Sequence, residues 1–201
     1  LRVVVPSTPR DAYGLMKTAL ETPGVTLYFE DRMISDDGPW LPGDLEIGEP
    51  VPFGSMGLRW LPMKIQAKKV PVVTVLTYGI MRQRVERILA AWLENWDGDY
   101  YQEPYLAVDL FDLRSLYPVD WETLKHGRYG LGRTGKLLII EPDVTYGGIG
   151  AEIAARIAEE VPGVKVKRLG APRTTIPASP SLHDRMLPNK EQIIAAITNW
   201  S

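Results

Sequence analysis

Residues 136–168 read KLLIIEPDVTYGGIGAEIAARIAEEVPGVKVKR, and their periodicity changes twice. Lys136–Ile140 is an unbroken apolar run bounded by polar residues, which suits a buried strand. Ile149, Ile153, Ile157 and Val161 then recur four apart, so they share one helix face. Val164–Arg168 reads as a second strand. A strand, a helix and a strand in succession imply parallel pairing, because parallel neighbours need a crossover connection.

The same alternation extends outward. Val72–Leu76 and Tyr105–Phe111 read as strands, and Met81–Leu93 as a helix rich in Leu, Ile and Ala. Asp120–Leu124 is helix-capable, and Glu191–Ile197 closes the chain as a helix. The predicted class is α/β: a three-layer, mostly parallel sheet flanked by helices. Upstream, Val3–Val5 is a β-branched run. Thr8 suits a helix N-cap and Pro9 the first helical position. Ala12, Leu15, Met16 and Ala19 keep the helical period, Pro23-Gly24 stops it, and Val25–Phe29 is another strand. Residues 1–34 thus form a strand–helix–strand unit too small to be a domain. Between 35 and 69, Asp36-Asp37-Gly38-Pro39, Pro42-Gly43, Pro50, Pro52 and Gly54 break every period. That stretch is expected to be a crossing between domains, with a long loop inside one domain as the alternative. Residues 70–201 form the main domain. Glu94–Gln102 reads as a surface loop.

Composition sets outer limits. The chain has 201 residues, 45% of them hydrophobic and 24% charged, enough for a sizeable core. It has no cysteine, which excludes disulfides, thiolate metal sites and cysteine nucleophiles. A formal net charge of −2 gives no reason to expect nucleic acid or an anionic membrane as partner. No apolar run approaches the roughly 20 residues of a membrane span. Leu1–Val5 runs into Pro6 with no basic region before it, so no secretory leader is expected. The first residue is Leu, not Met, and it opens a strand already under way. A processed or truncated start is the expectation, and a cytoplasmic or organelle-matrix location follows by default.

Few residues offer chemistry. Gly147-Gly148-Ile149-Gly150 precedes a helix, where unpaired N–H groups can meet an anion. No Lys-Ser or Lys-Thr follows, so it is no phosphate loop, and Ile153 stands where a dinucleotide fingerprint needs a small residue. The plainer expectation is that the glycines let the helix approach the sheet or a partner chain closely. Glu141, directly after its strand, is placed where ligands gather in parallel sheets; capping or pairing with an arginine is the commoner use. Glu30-Asp31, Asp143 and Glu152 are also acidic residues near element ends. His126 and His183 are expected in exposed loops, although the His183-Asp184 neighbours have the makings of an oriented base. Arg168, Arg173 and Arg185 flank turns as solvated cations. Trp92 and Trp121 fit the core, whereas Trp40, Trp60, Trp96 and Trp200 suit partner contacts.

Several strings, in order, carry a resemblance. They are Val3-Val4-Val5-Pro6-Ser7-Thr8-Pro9-Arg10-Asp11-Ala12, Leu27-Tyr28-Phe29-Glu30, Thr77-Tyr78-Gly79-Ile80-Met81 and Asp112-Leu113-Arg114-Ser115-Leu116-Tyr117-Pro118-Val119-Asp120. Gly147-Gly148-Ile149-Gly150-Ala151-Glu152-Ile153, Gly170-Ala171-Pro172 and Leu187-Pro188 complete the set. Together they resemble the C-terminal part of the beta subunit of a thiamine-diphosphate-dependent 2-oxo acid dehydrogenase. The resemblance implies the last strand–helix–strand of a pyrimidine-binding domain followed by a transketolase-type C-terminal domain. It implies decarboxylation of a 2-oxo acid on thiamine diphosphate and acyl transfer to lipoyl groups. It implies an alpha subunit, a second beta subunit and a dihydrolipoyl acyltransferase core as partners. The cofactor-activating carboxylate would lie upstream, and the diphosphate and Mg2+ on the alpha subunit, so no catalytic, cofactor or metal residue is expected in this chain. Glu141, Gly147, Gly148, Gly150 and Glu152 are expected as structural or interface residues. A free-standing assembly module without catalysis is the competing reading. A deoxyxylulose-phosphate synthase or a pyruvate-ferredoxin oxidoreductase is the related enzyme reading. Residues 38–69, 94–102 and 127–132 depart from the family pattern.

Overall fold

The computed structural model describes residues 1–31, 34, 48–61, 72–94, 107–126 and 130–200. Two sheets organise them. The larger has five strands: β3 (Gly57–Leu61), β4 (Val72–Thr77), β5 (Ala107–Asp112), β7 (Lys136–Val144) and β8 (Lys165–Ala171), in the order β3-β5-β4-β7-β8. β5, β4, β7 and β8 run parallel to their neighbours, and β3 is antiparallel to β5.

Continuous apolar strands work here because both faces are covered. Leu138 and Ile140 of β7 turn to one face, with Val73 and Val75 of β4. There they meet Met81, Val85 and Leu89 of α2 (Ile80–Glu94) and Ile193 and Ile197 of α7 (Lys190–Thr198). Leu137 and Ile139 turn to the other face, with Leu76 and Phe111. They pack on α3 (Trp121–His126), α4 (Leu131–Thr134) and α5 (Ile149–Glu160) through Leu124, Leu131, Ile153 and Ile157. The alternation of one strand between two apolar clusters is the pleat of a fully buried sheet. α7 starts at a capping box: the Asn189 side chain accepts from Gln192 N, and Gln192 Oε1 accepts from Asn189 N.

The smaller sheet, in the order β2-β1-β6, joins the N-terminal unit to the rest. β1 (Arg2–Val4) pairs in parallel with β2 (Thr26–Tyr28) and antiparallel with β6 (Ser115–Tyr117). α1 (Pro9–Glu21) crosses one face, burying Leu15 against Val4 and Val51. Thr8 is its N-cap, and its hydroxyl accepts from Asp11 N at 3.1 Å. Gly14 lets residues 49–51 lie close to α1: a Cβ there would stand 2.5 Å from Val51 Cγ2.

Several elements differ from the sequence expectation. β3 lies within the stretch read as a crossing; its breakers, Pro50, Pro52 and Gly54, all precede Gly57, and an antiparallel partner requires no helical crossover. β6 adds a strand from the main domain to the N-terminal unit. β7 continues to Val144, so Glu141 lies inside the strand instead of after it. His126 closes α3 and His183 lies in α6 (Pro180–Met186); neither is in a loop. Met16 keeps the helical period yet is exposed. Trp40, Trp96 and residues 95–102 lie outside the described residues, as does most of the 35–69 stretch.

Candidate functional site

The joint between β7 and α5 assembles most of the residues singled out in the sequence. Gly147 adopts φ +75°, which turns the chain after the strand. Gly148 is the N-cap of α5 and has no side chain to satisfy the first-turn N–H groups. Glu141 supplies the missing acceptor from the neighbouring strand: its Oε1 accepts from Gly150 N at 2.9 Å. The glycines are needed for that approach. A Cβ on Gly148 would lie 2.8 Å from Glu141 Oε1, and one on Gly150 would lie 2.3 Å from Oε2.

Burial pushes the Glu141 carboxyl above the usual range. The Gly150 N–H, the Arg168 charge and the Tyr78 hydroxyl oppose the rise, while Asp143 adds to it. Tyr78 is raised in turn, first by burial and then by the Glu141 and Asp143 charges. Arg168 donates from Nη1 to Thr145 O at 2.5 Å and so braces the turn. Glu152, in the first turn of α5, is exposed, where its charge complements the helix dipole. The arrangement holds a helix against a sheet. Only one of the two carboxylate oxygens is used this way: Oε2 is buried without a hydrogen bond.

A second polar cluster sits where the N-terminal unit meets the main domain. Ser7 Oγ donates to Asp112 Oδ1 at 2.7 Å, and Gln83 Nε2 donates to Ser7 O at 2.8 Å. Arg114 Nε faces Asp11 Oδ1 at 2.8 Å, and Arg114 N donates to Asp112 Oδ1 at 3.3 Å. Arg82 pairs with Glu86 at 2.9 Å. Arg114 holds a left-handed backbone, φ +52°, in the turn between β5 and β6. Asp112 is raised to about 6, by burial first and by Asp11 next, against Arg114, Arg82 and the Ser7 hydrogen bond. Sequence reasoning quoted Asp112 and Arg114 only within a family string. Their partners lie about a hundred residues upstream, and no local pattern announces them.

The remaining candidates disperse. His183 lines a cavity of about 300 Å³ with Asp31, Arg84, Arg87, Asp184 and Leu187. Asp184, its chain neighbour, is ion-paired to Arg84. His126 and Arg185 are exposed. Arg173 stacks over Tyr146 at 4.7 Å. Trp92 and Trp121 pack against the two core clusters, as expected. Trp200 packs on the core too, under Lys167 at 4.7 Å. Among the described residues no group of three His, Cys, Asp or Glu side chains could hold a metal ion. Among them, too, no helix is long and apolar enough to cross a membrane.

Known proteins share this framework. The chain is 28% identical over 209 residues to the 2-oxoisovalerate dehydrogenase subunit beta of Bacillus subtilis, covering 98% of this chain and 55% of that one. It is 32% identical over 161 residues to the 3-methyl-2-oxobutanoate dehydrogenase subunit beta of Mycobacterium tuberculosis, covering 80% of this chain and 40% of that one. The chain spans about half the length of the curated relatives it matches. Its fold is similar to a solved structure titled "Split gene transketolase, inactive beta4 tetramer", with a TM-score of 0.68 and 21% identity over 98% of this chain and 55% of that one. The model of the transketolase C-terminal domain matches residues 63–193, which hold β4, β5, β7 and β8 and the β7–α5 joint. The match covers more than half of the chain, and the chain belongs to the transketolase C-terminal domain family.

Proposed function

We propose that this chain is the C-terminal part of the beta subunit of a 2-oxo acid dehydrogenase complex. The observation that carries the reading is similarity along 98% of the chain to such a subunit, continuous through the N-terminal unit and the main domain. The whole enzyme oxidatively decarboxylates a 2-oxo acid and passes the acyl group to lipoyl groups. Thiamine diphosphate with Mg2+ supplies that chemistry when bound. On this reading the cofactor and its metal are held by the rest of the assembly. Residues 1–34 end the pyrimidine-binding domain, the stretch 35–69 leads from it into the transketolase-type domain and contributes β3 to its sheet, and 70–201 form the rest of that domain. This part serves assembly with the alpha subunit, with a second beta subunit and with the acyltransferase core. Gly147, Gly148, Gly150 and Glu141 set the β7–α5 geometry, and Glu152 faces the partner side. The complex works in bacterial cytoplasm or an organelle matrix.

The test is affinity isolation of the tagged protein from its source under native conditions. Co-isolation of a thiamine-dependent alpha subunit and a lipoylated acyltransferase, with 2-oxo acid dehydrogenase activity, is expected. A preparation with neither partner and no activity on pyruvate or branched-chain 2-oxo acids overturns the reading in favour of a free-standing assembly module.

A further inference from the structure

The cavity beside His183 serves neither the β7–α5 joint nor the Asp112 cluster. It holds about 300 Å³ and opens where three segments meet. Asp31 comes from just after β2, Arg84 and Arg87 from α2, and His183 from α6. Ile80 opens α2 two residues beyond the end of β4. The cavity thus lies past the carboxyl ends of two strands that have parallel neighbours, where α/β sheets gather ligands. Its size is at the small end for a ligand pocket.

The wall is built from held side chains. Arg84 Nε donates to Pro188 O at 2.9 Å, and Nη1 pairs with Asp184, which ties α6 to α2. Gln83 is buried and donates from Nε2 to Ser7 O at 2.8 Å. Its Oε1 is thereby turned to accept from Arg87 Nη2 at 2.9 Å. Gln83 is neutral, so it positions the Arg87 guanidinium without cancelling the charge. Arg87 is exposed at the mouth, and the half-buried His183 ring adds a donor further in.

Charge and apolar surface narrow the ligand. Two guanidiniums, Arg84 and Arg87, and two carboxylates, Asp31 and Asp184, line the cavity. A dianion would meet both carboxylates, and a plain cation both guanidiniums. A zwitterion matches a wall of balanced charge. Leu187 is buried and Ile80 half-buried, so part of the lining is apolar. We infer that this cavity is a binding site for an aliphatic α-amino acid. Arg87 and His183 take the α-carboxylate, whose shape fits the guanidinium fork. Asp31 takes the α-ammonium; a carboxylate has about four acceptor sites and can hold it beside another partner. Ile80 and Leu187 receive the side chain. Asp31 belongs to the N-terminal unit and the other groups to the main domain, so the ligand bridges the two.

Ligand-observed NMR titrations of the native assembly test this, with the substitutions introduced into the full chain. The probes are leucine, isovalerate, which lacks the ammonium, and isoamylamine, which lacks the carboxylate. Binding at this site is the part lost on Arg87→Met, which removes the charge and keeps an unbranched chain. Leucine should show such binding, at least about tenfold tighter than either analogue, because each loses one charged contact. Asp31→Asn should bring leucine down to the affinity of isovalerate and leave isovalerate itself unweakened, which also shows that the variant is folded. Arg156→Met, on α5 across the sheet, should change nothing. Leucine binding that is absent, or that survives Arg87→Met, overturns the proposal. So does isovalerate binding that depends on Arg87 and is as tight as that of leucine, which would make the ligand a plain carboxylate.

Discussion

Glu141 and Asp112 are both buried carboxylates at strand positions of one sheet, and they are housed in opposite ways. Glu141 meets a backbone amide of the helix that follows its own strand, and its neighbourhood is built of glycine. Asp112 accepts from the Ser7 hydroxyl of the N-terminal unit and from the Arg114 backbone N–H of its own turn, and it feels the charges of Asp11, Arg114 and Arg82. A joint inside one domain can be closed by backbone, because strand and helix are tethered a few residues apart. A joint between distant segments uses charged groups from each side, which fix geometry but carry a desolvation cost. On this view the Asp112 cluster is the electrostatic joint, and the Glu141 joint is a steric one.

Arg114→Ala should give the largest effect. The Arg114 guanidinium pairs with Asp11 and its charge also favours ionised Asp112, so its removal leaves the buried Asp11 carboxylate without this ion pair and Asp112 without a neighbouring cation. A loss of about 3–5 kcal/mol in urea unfolding is expected for breaking a buried pair from one side. A loss no larger than an exposed pair gives, roughly 0–1 kcal/mol, would break the comparison by making the cluster ornamental to stability.

Gly150→Ala should come next, for a steric reason. The added methyl would stand 2.3 Å from Glu141 Oε2, 2.6 Å from Cδ and 3.0 Å from Ile139 Cγ2, in a core with no slack. Overpacking of this kind costs about 1–3 kcal/mol. Gly132→Ala is the control, since its nearest neighbour would be Lys125 O at 3.7 Å, an ordinary contact. If thermal or urea unfolding finds the two substitutions equal, close approach is not what Gly150 provides.

The same contrast explains what the sequence made legible. Lys136–Ile140, the Ile149–Val161 stripe and the glycine turn lie within one continuous stretch, so periodicity and turn chemistry located the β7–α5 unit. The apolar run ends at Ile140, which puts Glu141 after the strand, yet the strand passes through Pro142 to Val144. Two short elements were not legible: β6, Ser115–Tyr117, has no β-branched run like that of β1, and α6 is preceded by Pro177 and begins at Pro180, which reads as loop. The Asp112 cluster was invisible for a different reason. Ser7 and Asp112 are 105 residues apart, and the β1–β6 pairing brings their segments together.

The smallest expected effect separates the two carboxylates by titration. Burial raises both, but only Asp112 has a second carboxylate, Asp11, as a leading cause. A carboxyl whose pKa is raised on folding holds its proton more tightly in the folded state. Between the two pKa values the folded chain binds more protons than the unfolded one, so stability falls as pH rises. For Asp112 this contribution is full below the ordinary value of 3.8 and is lost as pH passes about 6. Asp112→Asn should flatten that part of the stability profile relative to the parent chain. Asp11→Asn removes the raising charge and should move the Asp112 titration down toward the ordinary range, while Glu141, which lacks Asp11 among its causes, stays where it was. Carboxyl carbon chemical shifts followed against pH read both groups in one experiment. A downward shift at Asp112 alone sharpens the division into an electrostatic and a steric joint. A parallel shift of both, or of neither, would mean that Asp11 is not what distinguishes them and that burial alone governs each carboxylate.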